Sequence, residues 1–135
     1  MCNWRGHQPA TSDALFALLM QAGAGDKNFS RAERVLVTAC EFWAAARNRT
    51  LSEHLGDTAI GKLRAAEDSF TTIGLANIAT ILRLGCIELT STDPPASLQS
   101  VAAGIEEELS RTAEPVDELI AQFACEQTWD RLRQS

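Results

Sequence analysis

Tyrosine is absent from this 135-residue chain, and aromatic side chains together make up only 6% of it. That scarcity leaves no stacking platform for single-stranded nucleic acid. Histidine is nearly as scarce, with only His7 and His54. Neither has a glutamate three residues before it, which excludes the Glu-x-x-His pairs of a di-iron bundle. Four cysteines, Cys2, Cys40, Cys86 and Cys125, show neither CxxC nor Cys-His ligand spacing, so no zinc site is expected. The chain has no Gly-x-Ser-x-Gly elbow, phosphate loop or dinucleotide fingerprint; the "GAG" of Gly23–Gly25 follows an apparent helix rather than a strand. No stretch approaches the ~18–20 apolar residues of a membrane span, and "MCNWRGHQPATSD" lacks the apolar core of a signal peptide. These absences predict no catalytic residues, no metal, no cofactor and no membrane contact, in a cytoplasmic protein with reduced thiols.

What the chain does have is helical periodicity. Apolar residues recur at three- and four-residue spacing throughout, and no sustained alternation marks a strand. A first helix is expected from Ser12 or Asp13, with Leu15, Leu18 and Leu19 inward. Ser30 and Glu33 read as a capping box for a second helix, carrying Leu36, Ala39, Cys40, Trp43 and Ala46 to near "RNRT". Asp57 is a candidate cap for a third, lined by Ile60, Leu63, Ala66, Phe70 and Ile73. Gly74 follows at once, where a left-handed residue would turn the chain sharply into a fourth helix through Ile78, Leu82 and Leu89. "TSTDPPAS" separates it from a fifth with Leu98, Val101, Ile105 and Leu109 inward, and Pro115 opens a sixth through Val116, Leu119, Ile120 and Phe123. Trp129 and Leu132 extend its tail. The expectation is a single all-α domain over residues 1–135, a compact bundle of about six helices with a corner at Gly74. Residues 1–11 are read as a loosely ordered N-terminal segment.

The chain also has acid, unevenly placed. The formal charge is −6. Residues 1–85 hold nine Lys/Arg against eight Asp/Glu, whereas residues 86–126 hold nine acids against Arg111 alone. A net-acidic chain without a local basic patch is repelled by phosphate backbones, so direct nucleic-acid binding is not expected. On the fifth helix, Glu106 and Glu107 fall off the apolar stripe and Glu108 flanks it. On the sixth, Asp117 and Glu118 lie off the Val116/Leu119/Phe123 face. Glu114, Asp117 and Glu118 suit a helix N-terminus by dipole alone, but Glu106–Glu108 stand near a C-terminus, where the dipole disfavours them. Two readings follow: a solvated face, or a surface of Glu106, Glu107, Glu108, Asp117 and Glu118 that meets a basic protein partner. Glu41, among apolar neighbours, reads as a partly buried carboxylate bonding a helix end. His54, flanked by Glu53 and Asp57, reads as a local capping or exposed residue rather than a general base.

The stretch "RAERVLVTACE…HLGDTAIGKLRAAEDSFTTIGLANIATILRLG" resembles a bacterial family of unknown function that includes a DNA-mimic protein. Glu41 matches that family's leading glutamate, Gly56-Asp57 its step into a helix and Ile73-Gly74 its corner. "PVDELIAQF" resembles its closing helix, so the likeness covers about residues 33–124. The family's Asn-Gly-Gly-Phe-x-Gln motif is not retained, since Ala44–Arg49 here reads "AAARNR". The resemblance implies an all-α, protein-binding domain in which carboxylates could stand in for phosphates. The alternatives are an oligomerising helical domain with an apolar contact surface, homodimeric for instance, and an enzyme built around Glu41 and His54.

Overall fold

Burial keeps the helical period throughout the described chain, and this builds the bundle. The structure, a computed structural model, describes residues 31–90 and 97–127. Among them there is no strand. Helix α1 spans Arg31–Arg47 and α2 is a short helix at Leu51–Leu55, followed by a 3-10 turn at Gly56–Thr58. Then come α3 (Ala59–Ile73), α4 (Ala76–Thr90), α5 (Leu98–Ser110) and α6 (Val116–Gln127). The all-α bundle read from the periodicity is the fold observed. The expected first helix with its Ser12 or Asp13 cap, the 1–11 segment, Ser30, Pro94, Pro95, Trp129 and Leu132 lie outside the described residues.

Leu36 and Phe42 of α1, Leu63 and Phe70 of α3, Leu82 of α4 and Ile120 of α6 are fully buried in one core. Helix α3 packs most extensively on α4, α1 crosses α3 and α6, and α5 covers α4 and the short α2. Cys40 and Cys86 are buried within that core. Burial pushes the Cys86 thiol up, the direction that keeps it protonated and unreactive.

Some sequence expectations need correction. The short α2 was hidden between "RNRT" and Gly56, and it moves the start of α3 past Asp57. Thr58 is the N-cap position, with no side-chain capping bond, and Asp57 is exposed in the 3-10 turn. Ile60, at the second position of α3, is 37% exposed because the buried stripe begins one turn later, at Leu63. Helix α5 is capped by Ser97, whose hydroxyl oxygen accepts the Ser100 amide at 3.1 Å.

Two helix ends turn by the same device with different residues. After α3, Gly74 adopts φ +104°, and the Leu75 amide reaches back to the Phe70 carbonyl at 2.8 Å. This is the Schellman arrangement, and the corner expected at Gly74 is present. After α1, Thr50 N–H bonds Ala45 O at 2.9 Å and Arg49 N–H bonds Ala46 O at 3.3 Å. Here the left-handed position belongs to Arg49, at φ +59°. A side chain there costs about 1 kcal/mol that glycine avoids. Arg49→Gly is therefore expected to raise the unfolding free energy by about 1 kcal/mol in urea denaturation, whereas Gly74→Ala lowers it by a similar amount.

Candidate interaction surface

The acids of the C-terminal third do not form one patch. Each helix N-terminus leaves backbone amides without intrahelical partners, and a carboxylate is a strong acceptor for them. Helix α2 begins after Thr50, whose side chain makes no capping bond. Glu106 reaches across from α5 instead, and its Oε2 accepts the Leu51 amide at 3.1 Å. Helix α4 begins after Leu75, which has no polar side chain to offer. Glu114 takes that place, accepting Ile78 N–H at 3.1 Å through Oε1 and Asn77 N–H at 3.4 Å through Oε2. Both carboxylates thus cap helices remote from them in sequence, where the helix dipole favours negative charge.

Glu106 is only 9% exposed, so its expected place on a partner surface is corrected. Its unfavourable position near the end of α5 is offset by the start of α2 lying opposite. Glu107 is exposed but pairs with Arg111 at 2.8 Å, one turn on. Glu108 lies on another flank, lining a groove between α4 and α5. Asp117 and Glu118 line a separate hollow of 470 Å³ with Trp43 and Arg47, whose guanidinium carbon stands 5.8 Å from the Trp43 ring centroid. The structure therefore divides the five acids named from the sequence into one buried cap, one ion pair and two surface sites.

Glu41 is also corrected: it is exposed, because it projects from α1 about 100° from each of its buried neighbours Cys40 and Phe42. The fully buried carboxylate on α1 is Glu33, at 1% exposure. Glu41 does share a shallow 180 Å³ pocket with His54 and Lys62. Burial, then the Lys62 charge, holds the His54 imidazole below its ordinary value, with Glu41 acting the other way. Its ring stands edge-on to Phe42 at 6.3 Å, and the Lys62 ammonium donates to the His54 carbonyl oxygen. The imidazole is thus favoured neutral and packed, which suits a structural role.

The feature the sequence reading missed lies on α4. Leu84 is 52% exposed and Ile87 46% exposed, on a helix whose other face is core. Leu84 borders a groove of 380 Å³ that also meets Ile81, Val101, Glu88 and Glu108. A signal was present in "ILRLGCIEL": seven of its nine residues are apolar or glycine, more than one buried stripe of a helix can absorb.

Among the described residues, no group of three or more His, Cys, Asp or Glu side chains is placed to hold a metal ion, and no helix is long and apolar enough to cross a membrane. Compared with protein-family models, curated proteins and solved structures, the chain has no match.

Proposed function

We propose that the chain is a protein-binding domain without catalysis, which receives a basic partner on the outward acids of its C-terminal helices. The observation that carries this reading is the juxtaposition of an exposed apolar side chain, Leu84, with the exposed carboxylate of Glu108 along the α4–α5 groove. Apolar area supplies affinity when it is removed from water, and the acids around it select the sign of the partner. Capping accounts for Glu106 and Glu114, and an ion pair accounts for Glu107, without any partner. It does not account for Glu108 or Glu118. A carboxylate array imitating the phosphates of DNA would need more outward acids in register, so the mixed apolar and acidic face supports a protein partner of more ordinary kind.

The test is affinity capture from cell extract, with bound proteins quantified at about 50 and 500 mM salt, where screening lengths differ roughly threefold. Wild type is compared with Glu108→Lys, Glu118→Lys and the double variant, all with Glu106 intact so that the fold is kept. Basic proteins enriched by wild type are expected to fall about tenfold with the double variant and with high salt. Retention indifferent to both changes would refute the reading.

A further inference from the structure

The α4–α5 groove contains a glycine for which the fold gives no reason. Gly104 is in the interior of α5, and a Cβ built on it would meet nothing within 4 Å. Glycine inside a helix costs about 1 kcal/mol against alanine. Gly85, facing it across the groove, is different: its Cβ would come 2.9 Å from Ile105 Cδ1, so close packing of α4 on α5 explains it. Gly104 packs against nothing and leaves one wall of the groove without a side chain.

We infer that this groove seats the apolar face of an amphipathic helix from a basic protein partner, with one apolar side chain entering over Gly104 beside Leu84. Lysines or arginines flanking that face reach Glu108. The inference rests on the reading of the chain as a receiver of basic proteins, and it names the seat and the shape of the partner. Three observations favour this occupant. The groove between two helices is bordered by Ile81, Leu84 and Val101, which suits anchors at the i, i+3, i+4 and i+7 positions of a third helix. The charged residues lining it are both acids, with no lysine or arginine among them. A second copy docking about a two-fold axis would bring the same acids against each other, which like charges oppose.

The experiment uses the full chain and a synthetic fluorescent peptide of about 18 residues, long enough to be helical when bound. The peptide carries leucines at i, i+3, i+4 and i+7 with lysines beside them; a second peptide carries glutamates in place of the lysines. Fluorescence anisotropy is expected to show binding of the lysine peptide only. Gly104→Leu fills the groove without changing charge, so it is expected to weaken binding at least about tenfold, as loss of a central anchor does. Its melting temperature is expected to hold or rise, because a helical glycine has been replaced.

Failure of wild type to bind the lysine peptide, or equal binding by Gly104→Leu, would overturn the groove as the seat. Either result leaves the salt- and charge-dependent capture of basic proteins to stand or fall on its own. A lowered melting temperature for Gly104→Leu would mean that the chain itself fills the groove, and would overturn the inference. So would a concentration-dependent dimer in light scattering that Gly104→Leu abolishes.

Discussion

Phe70→Ala is expected to lower the unfolding free energy by about 3–5 kcal/mol, the range for deleting a buried phenylalanine. Phe70 is fully buried in α3 and meets Phe42 edge-on, with ring centroids 6.0 Å apart and planes at 78°. The lost ring removes apolar surface that helix α1 and helix α3 bury together, and the backbone around it cannot collapse freely. Its carbonyl also receives the Gly74 and Leu75 amides that close α3, so the ring sits at the corner linking α3 to α4. A domain of this size has only about 5–15 kcal/mol in hand, so the variant stands near the edge of folding at physiological temperature. Calorimetric and urea unfolding should show the loss directly. Phe123→Ala, at a half-buried position of α6, should cost less than half as much. Equal effects at the two positions would contradict the placement of the core.

Glu106→Ala has the second largest expected effect, about 2–3 kcal/mol. The variant leaves the Leu51 amide buried without its charged acceptor, and hydrogen bonds to charged groups contribute about 1.5–3 kcal/mol. It also creates a small void where the side chain crossed from α5 to α2. Glu106→Gln retains a neutral acceptor of the same shape and is expected to recover roughly half of the loss. Glu107→Ala is the internal comparison: its exposed pair with Arg111 is worth under about 1 kcal/mol. The urea midpoint of each variant checks the order. If Glu106 and Glu107 behave alike, Glu106 is a surface acid after all. This result also governs how binding experiments are designed, since reversing the charge at Glu106 would unfold α2 and mimic a lost contact.

The parts of the structure legible in the sequence are those set by local chemistry. Leu63, Ala66, Phe70 and Ile73 recur at helical spacing and are buried together, because the 3.6-residue period fixes a face wherever a core lies on one side. Gly74 was legible because a positive φ selects glycine. Arg49 was not, since an arginine in that conformation carries no composition signal. The two capping carboxylates were illegible for another reason. Glu106 meets Leu51 across 55 residues and Glu114 meets Ile78 across 36, so nothing local distinguishes them from the solvated acids beside them. Glu41 was misread because sequence neighbours on a helix point to different faces. The groove escaped because Leu84 and Gly104 have meaning only once α4 and α5 lie side by side.

The most direct test of the account is an amide chemical-shift map of the full chain titrated with the lysine-bearing amphipathic peptide. Ile81, Leu84, Glu88, Gly104 and Glu108 are predicted to move together, with Leu51 and Ile78 unmoved because their amides are held by Glu106 and Glu114. Shifts spread over every exposed carboxylate, with Gly104 and Leu84 silent, would contradict it.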